Sequence, residues 1–322
     1  MIAFTFPGQG SQRPGMGEAW VDHPSWDLVG QASEVAGRDL ARLLLEADAD
    51  ELRHTRNAQL ATFVLSLVVL DAVERAGVDP VAAAGHSLGE YTALAATGAL
   101  SFADGVRLVT ARGEAMQAAA EAHPGTMAAV LGLGDDDADS ACKRAEGDVW
   151  VANFNAPGQI VIAGSTEGVA DATAIAKELG AKKVMPLPVG GAFHTPFMAP
   201  ASDALAVAID RASFGPPEVP VVANVDARPH RDALDWGPLL ATQLMSPVRW
   251  HQSVEHLAEI GITTLVELGP GTVLTGMAKR IVPGLAYTSV GSPDEVDRLL
   301  TMLRGGSEPV SAGHPNAWLR TS

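Results

Sequence analysis

Residues 85–89 read Gly-His-Ser-Leu-Gly and fit the pattern G-x-S-x-G. A serine on a sharp turn between a strand and a helix, as this pattern requires, exposes its hydroxyl as a nucleophile. Backbone N–H groups at the start of the following helix can stabilise the negative charge that develops on an attacked carbonyl. The pattern therefore predicts an acyl ester on Ser87. The alternative is that Ser87 only caps the helix.

A serine hydroxyl needs a general base, and nine histidines are available. His86 adjoins Ser87 but is expected to point away from it, since neighbours across a turn do not face one another. His194 follows the Gly-Gly pair at residues 190–191. We expect the chain to re-enter its first domain there, close to a cleft between two domains. His194 is therefore either the base or a structural histidine.

Arg112 belongs to a predicted helix that begins at Phe102. It lies three residues after Val109 and four before Met116, on the stripe that should face the core. Such an arginine is either paired with a structural carboxylate, or extended to the surface, or used for binding. In a cleft, its planar guanidinium is suited to holding a substrate carboxylate through two hydrogen bonds.

The elements that must position these residues alternate between strands and helices. An apolar strand at residues 2–6 ends in a Gly-rich loop, and a second strand at 81–84 leads into the turn at Ser87. This alternation predicts an α/β fold. Helical patterns cover residues 27–46, 59–76, 90–96, 102–120, 200–212, 237–245, 248–259 and the stretch before Arg280, and further strands are predicted at 219–224 and 263–267.

Residues 126–189 have the order strand, helix, strand, strand, helix, strand, which is the ferredoxin-like order. We therefore predict an inserted ferredoxin-like small domain over 126–189. The large domain, formed by 1–125 and 190–304, is expected to be α/β-hydrolase-like, with a parallel sheet and a nucleophile elbow. Residues 305–322, rich in Gly, Pro and Ser, are predicted to be a flexible tail.

Composition excludes several classes of protein. A formal net charge of −16 disfavours nonspecific binding to nucleic acid or to an anionic membrane. The most apolar run, residues 61–70, is about half the length of a membrane span. The single cysteine, Cys142, cannot form an internal disulfide, and the first ten residues do not resemble a secretory signal. These features predict a cytoplasmic globular protein.

Four motifs, in this order, resemble those of one family: FPGQGSQ at 6–12, GHSLGE at 85–90, AFH at 192–194 and ELGPG at 267–271. From residue 1 to about residue 300 the chain closely resembles the malonyl-CoA:acyl carrier protein transacylases. The resemblance implies transfer of malonyl from malonyl-CoA to the phosphopantetheine thiol of acyl carrier protein, in fatty acid biosynthesis. It implies no metal and no cofactor.

The resemblance also assigns roles to individual residues. Ser87 is similar to the family's nucleophile, and His194 to its general base and acid. The backbone N–H groups of Gln9 and Leu88 would form the oxyanion hole. Gln243 matches the residue whose main-chain carbonyl orients the histidine, so no acidic third member of the triad is expected.

Three further positions are implied to shape the acyl pocket. Arg112 is similar to the arginine that pairs with the malonyl carboxylate. Phe193 resembles the malonyl-selective type, since a ring before the histidine leaves less room for an α-methyl group. The family often has Gln early in the helix after residue 55, and either Asn57 or Gln59 could take that place. We favour Asn57.

Three other functions share some of these features. A serine hydrolase would have the same elbow, a trans-acting acyltransferase of a polyketide synthase would have the same chemistry, and a binding module would have the cleft alone. Carrier proteins of this kind are acidic, as is this chain, so docking requires a local basic patch. The candidate basic pairs are at residues 143–144, 182–183 and 279–280.

Overall fold

The computed structural model describes residues 1–305. Within this range, ten strands form two sheets, and the larger sheet has six strands. The strands are β1 (Ile2–Phe6), β2 (Ala82–Gly85), β3 (Thr126–Leu131), β4 (Val149–Ala156), β5 (Gln159–Gly164), β6 (Lys183–Pro186), β7 (Val221–Val222), β8 (Pro229–His230), β9 (Thr264–Leu268) and β10 (Ala286–Val290).

Thirteen α-helices and three short 3-10 helices connect these strands within the described range. The α-helices are α1 (Asp27–Ala36), α2 (Leu40–Leu45), α3 (Ala49–Arg53), α4 (Thr55–Arg75), α5 (Gly89–Ala96), α6 (Phe102–Ala122), α7 (Asp135–Arg144), α8 (Thr166–Glu178), α9 (Ala199–Ile209), α10 (Ala233–Gln243), α11 (Trp250–Glu259), α12 (Val273–Ile281) and α13 (Pro293–Gly305).

The large sheet has the strand order β10-β9-β1-β2-β7-β8, and only β8 runs antiparallel to its neighbour. The predicted α/β class with a mixed, mainly parallel sheet is confirmed. β1 and β2 are adjacent and in register from Ala3 opposite Ala82 to Phe6 opposite Gly85. Because parallel strands end at the same edge, the loop after β1 and the turn after β2 meet there.

Helix α4 forms the centre of the core. It is long and apolar enough to span a membrane, but 94% of its most apolar window is buried inside the fold. Burial of this kind is typical of a core helix, as the short apolar run at residues 61–70 predicts.

The second sheet has the order β4-β5-β3-β6, and all its neighbouring pairs are antiparallel. Helices α7 and α8 pack on it around a separate apolar cluster. The sheet is joined to the rest of the fold through Val248, which precedes α11. Its N–H donates to the Ala152 carbonyl at 2.9 Å, and its carbonyl accepts from the Phe154 N–H at 2.9 Å.

Several element boundaries differ from the predictions. The helical pattern over 27–46 is interrupted, since Gly37 adopts a left-handed φ of 62° and Asp39 caps a new helix. The predicted strand at 219–224 is reduced to the two residues of β7. β10 and α13 were not predicted, and α13 includes Gly305. The rest of the predicted tail lies outside the described residues.

Candidate active site

The turn at Ser87 has no room for side chains on either flanking glycine. A Cβ on Gly85 would lie 1.9 Å from the carbonyl carbon of Gly89, and a Cβ on Gly89 would lie 2.0 Å from the carbonyl oxygen of Phe6. Ser87 itself has a left-handed φ of 52°. This strained backbone is typical of a nucleophile elbow, and it presents the hydroxyl at the edge where β1 and β2 end.

His194 lies beside the hydroxyl of Ser87. Its Nε2 is 2.8 Å from Ser87 Oγ, and its Nδ1 is 3.0 Å from the main-chain carbonyl oxygen of Gln243. Because a carbonyl only accepts, Nδ1 carries the proton and Nε2 is free to accept the hydroxyl proton. The geometry therefore brings together three residues singled out in the sequence, with a carbonyl behind the histidine.

The imidazole of His194 is 4% exposed. Burial, reinforced by the nearby charge of Arg112, lowers the pKa of His194 to about 3. The resting imidazole is therefore neutral, as a general base must be. The charged form of the imidazole is unfavourable in these surroundings.

Arg112 extends from α6 into the same site and is 1% exposed. Its Nη1 donates to Gln59 Oε1 at 2.6 Å, and its Nη2 donates to Ser87 Oγ and to Gln243 Oε1, both at 3.0 Å. Within residues 1–305 it forms no ion pair with a carboxylate. Its buried charge is therefore surrounded by neutral oxygens, beside the nucleophile.

The choice of Asn57 for the acyl pocket is wrong. The Asn57 side chain points away from the cavity, where its Oδ1 accepts from Arg38 at 2.5 Å and its Nδ2 donates to the Glu51 carbonyl at 2.8 Å. Gln59 lines the cavity and contacts Arg112 instead. Side chains two residues apart on a helix differ in direction by about 200°, so only one of Asn57 and Gln59 can face the site.

Gln9 and Leu88, the two residues expected to form the oxyanion hole, lie on the two loops that meet at the sheet edge. The loop after β1 passes against the elbow so closely that a Cβ on Gly8 would lie 2.5 Å from the His86 carbonyl oxygen. In the described chain, neither the Gln9 nor the Leu88 N–H donates to another protein group. Both amides are thus available to an oxyanion.

A cavity of about 530 Å³ opens in front of Ser87. Its lining includes Gln9 and His194, which lie on loops, and Asn153 and Asn155 of β4 in the second sheet. Phe193 also lines it, as predicted for an acyl pocket. Its size fits a drug-sized ligand, and its few polar groups converge on the serine.

His86 and two unpredicted residues complete the surroundings of the elbow. His86 makes no hydrogen bond to Ser87, as expected, and its Nε2 lies 2.8 Å from Asn155 Oδ1. Sequence reasoning missed Glu90 and Asn224, both buried behind the elbow. A carboxylate in the first turn of the apolar helix α5 could have indicated that Glu90 belongs to the site. No local sequence pattern indicated the same for Asn224.

The chain was compared with known proteins at the levels of family, sequence and structure. Residues 3–304 match the acyl transferase domain family. The malonyl CoA-acyl carrier protein transacylase of Bacillus subtilis is 42% identical over 308 residues, which cover 94% of this chain and 97% of that protein.

Solved structures agree with this result. An acyl-carrier-protein S-malonyltransferase from Burkholderia pseudomallei superposes with a TM-score of 0.90 at 42% identity, covering 93% of this chain and 99% of that one. A malonyl-transacylase in complex with a type II PKS acyl-carrier protein gives a TM-score of 0.90 at 39% identity, covering 94% and 99%. The chain belongs to the acyl transferase family and, within it, to the malonyl CoA-acyl carrier protein transacylases.

Proposed function

We propose that this protein transfers the malonyl group of malonyl-CoA to the phosphopantetheine thiol of an acyl carrier protein through an ester on Ser87. One observation carries the proposal. The Ser87–His194 pair shares its cavity with the guanidinium of Arg112, which has no carboxylate partner within the described residues. A nucleophile for the thioester and a cation for a free carboxylate therefore lie side by side.

The first half-reaction forms the ester. His194 Nε2 accepts the hydroxyl proton while Ser87 Oγ attacks the thioester carbonyl. The N–H groups of Gln9 and Leu88 stabilise the oxyanion. The carbon–sulfur bond then breaks, and His194 returns the proton to the departing CoA thiolate.

The second half-reaction reverses these steps with a new thiol. The pantetheine thiol of the carrier gives its proton to His194, and its sulfur attacks the malonyl ester. The carbon–oxygen bond to Ser87 breaks, and the proton returns to Ser87 Oγ. The exchange is balanced without any other reactant, so the proposed mechanism uses neither a metal nor a cofactor.

Selectivity for malonyl rests on two residues. Arg112 would hold the malonyl carboxylate through two hydrogen bonds, which fixes the thioester against Ser87 and leaves water poorly placed. Phe193, 6% exposed and lining the cavity, leaves little room for an α-methyl group. Such exclusion is worth about 1–3 kcal/mol per methyl group.

Intact-mass measurement after mixing with malonyl-CoA tests the function directly. We expect the wild type to gain the mass of one malonyl group, which the Ser87→Ala variant does not gain. Malonyl-, methylmalonyl- and acetyl-CoA are compared in the same assay. A wild type that stays unmodified would exclude the proposed ester.

The similarity to a transacylase that was solved with a polyketide carrier supports a second candidate, transfer to a polyketide acyl carrier protein. Transfer rates to fatty acid and polyketide carriers, measured with the preformed malonyl enzyme, distinguish the two. A serine thioesterase would instead release free malonate when no carrier is present.

The proposal includes a domain division. The large domain, 1–125 and 190–304, would be α/β-hydrolase-like and carry the elbow. The small domain, 126–189, would be ferredoxin-like, in keeping with its four-stranded antiparallel sheet. We place the enzyme in the cytoplasm, where fatty acid biosynthesis would supply its substrates.

A further inference from the structure

Behind the elbow, outside the cavity lining, lies a network of three buried side chains whose roles the mechanism leaves open. They are Glu90 on α5, Asn224 after β7, and the side chain of Gln243 at the end of α10. Each is no more than 1% exposed. Polar groups this deeply buried are costly unless they are hydrogen-bonded to one another, and these are.

Asn224 and Gln243 hold the strained backbone of the nucleophile. The N–H of Ser87 donates to Asn224 Oδ1 at 2.7 Å, and its carbonyl accepts from Gln243 Nε2 at 2.9 Å. The left-handed conformation of a non-glycine residue is strained and persists only where surrounding contacts enforce it. These two amides supply such contacts.

Glu90 in turn holds the main chain of Asn224 and the side-chain amide of Gln243. Its Oε1 accepts from the Asn224 N–H at 3.0 Å, and its Oε2 accepts from Gln243 Nε2. An ionised carboxylate accepts only, so the NH₂ end of the Gln243 amide must face Glu90. The oxygen end then faces Arg112, where Oε1 accepts from Nη2 at 3.0 Å. The carboxylate thus acts together with the Ser87 carbonyl and the Arg112 donor to fix which way the amide points.

Resting on the proposed function, we propose that Glu90 is a positioning residue for malonyl transfer. Through the amide of Gln243 it orients the guanidinium that receives the substrate carboxylate, and through Asn224 it supports the strained Ser87. It touches neither substrate nor reacting atoms. Its contribution is therefore larger for malonyl than for acetyl, which has no carboxylate for Arg112.

The pH dependence of the acylation rate distinguishes a positioning role of Glu90 from a role in packing alone. Only the positioning role depends on whether Glu90 is ionised. Burial raises the pKa of Glu90 to about 7, against hydrogen bonds from Asn224 and Gln243 and the charge of Arg112, which lower it. The charge of Asp226 raises the pKa of Glu90 further, and the Tyr91 side chain also faces the Glu90 carboxyl group. Protonation weakens Glu90 as the acceptor for Gln243 and gives it an O–H that can donate, so malonylation should fall as the pH drops through about 7. His194, with a pKa of about 3, does not titrate there.

The test measures single-turnover acylation of Ser87 with malonyl-CoA and acetyl-CoA, between about pH 5 and pH 9. In Glu90→Gln we expect malonylation to slow by about 10- to 100-fold, the cost of a lost hydrogen bond to a charged group. Acetylation should slow less, and the loss of rate near pH 7 should disappear. Asp71→Asn is the control, a buried carboxylate on α4 that pairs with Arg75 and does not line the cavity.

Gln243→Met is the second variant, since it removes the amide but keeps the main-chain carbonyl behind His194. Its effect and that of Glu90→Gln should not add in a double-mutant cycle. The proposal is overturned if folded Glu90→Gln keeps the wild-type malonyl-to-acetyl ratio and acid limb, or if the two effects add. If Glu90→Gln does not fold, the wild type alone tests the proposal. A wild-type malonylation rate that does not change with pH around pH 7 overturns the proposal. A wild type that forms no malonyl ester rejects the function instead.

Discussion

At the scale of single residues, the unpaired charge of Arg112 is the most informative feature. Burial lowers its pKa, yet an arginine remains charged in proteins. Its three hydrogen-bond partners are all neutral oxygens. A buried charge without a directly bonded carboxylate is costly, and a substrate carboxylate that enters the cavity would supply that partner.

Replacing Arg112 with alanine should abolish the preference for malonyl. We expect the malonyl-to-acetyl ratio of acylation rates to fall by about 30-fold or more, because loss of one member of a buried charge pair costs about 2–5 kcal/mol. Ser87 acylation with both thioesters, followed by mass spectrometry, gives this ratio. Arg107→Ala is the matched control, an exposed arginine on the same helix paired with Asp104. An unchanged ratio in Arg112→Ala would reject the carboxylate role.

The pocket glutamine shows where sequence reasoning reached its limit. The resemblance located the pocket residue within residues 55–59. The predicted helix began at residue 59, whereas α4 begins at Thr55. Without that boundary, the helix face of Asn57 and that of Gln59 could not be told apart. Side chains two residues apart point to opposite sides of a helix.

At the scale of elements, the site depends on two parallel strands that end side by side. The sequence predicted both strands and the turn at Ser87. It also predicted that the chain re-enters the large domain near His194. Each of these features is encoded locally by Gly and apolar residues. The residues that contact Ser87 from behind the elbow could not be predicted in this way. Asn224 and Gln243 contact Ser87 across 137 and 156 residues, and no local pattern reports contacts of that range.

The elbow should not tolerate a methyl group on its first glycine. In Gly85→Ala, the new Cβ would lie 1.9 Å from Gly89 backbone, so α5 must shift away from β2. We expect a loss of about 3 kcal/mol or more in the free energy of unfolding. Urea denaturation followed by circular dichroism measures it. Gly30→Ala is the control, since that glycine lies on helix α1 with open space around it, and alanine should stabilise it by about 0.5–1 kcal/mol. Equal stability of Gly85→Ala and wild type would contradict the steric argument.

At the scale of the whole molecule, a chain with net charge −16 must attract an acidic carrier. Of the three basic pairs, the one at 143–144 is engaged with Asp139 and Glu178. Arg280 instead donates to Gln159, which lines the cavity. Lys183 lies two strands from Gln159, across Leu131. Among these basic pairs, Arg280 therefore places a positive charge in contact with a residue of the cavity lining, which we call the rim.

Reversal of the rim charge should weaken carrier binding. For Arg280→Glu we expect the KM for the acyl carrier protein to rise by up to about fivefold, since exposed pairs are each worth about 1 kcal/mol or less. The effect should shrink at high salt, because the charges are solvent-exposed. Arg144→Glu, which changes charge equally but away from the rim, should leave the KM near the wild-type value. If both variants behave alike, total charge rather than the rim governs docking.

The carbonyl of Gln243 behind His194 has a consequence for the choice between thiol and water. Burial, together with the charge of Arg112, keeps the imidazole a weak base, with a pKa of about 3. The Gln243 carbonyl raises this pKa, but as a neutral group it does so less than a carboxylate would. A pantetheine thiol surrenders its proton far more readily than water, because the pKa of a thiol is much lower than that of water. Ser87 has an additional N–H from Arg112 at 3.0 Å to stabilise its oxygen, which a free water does not. In the proposed mechanism the site would therefore select its acceptor by acidity, and the Ser87 ester would persist in water until a thiol arrives.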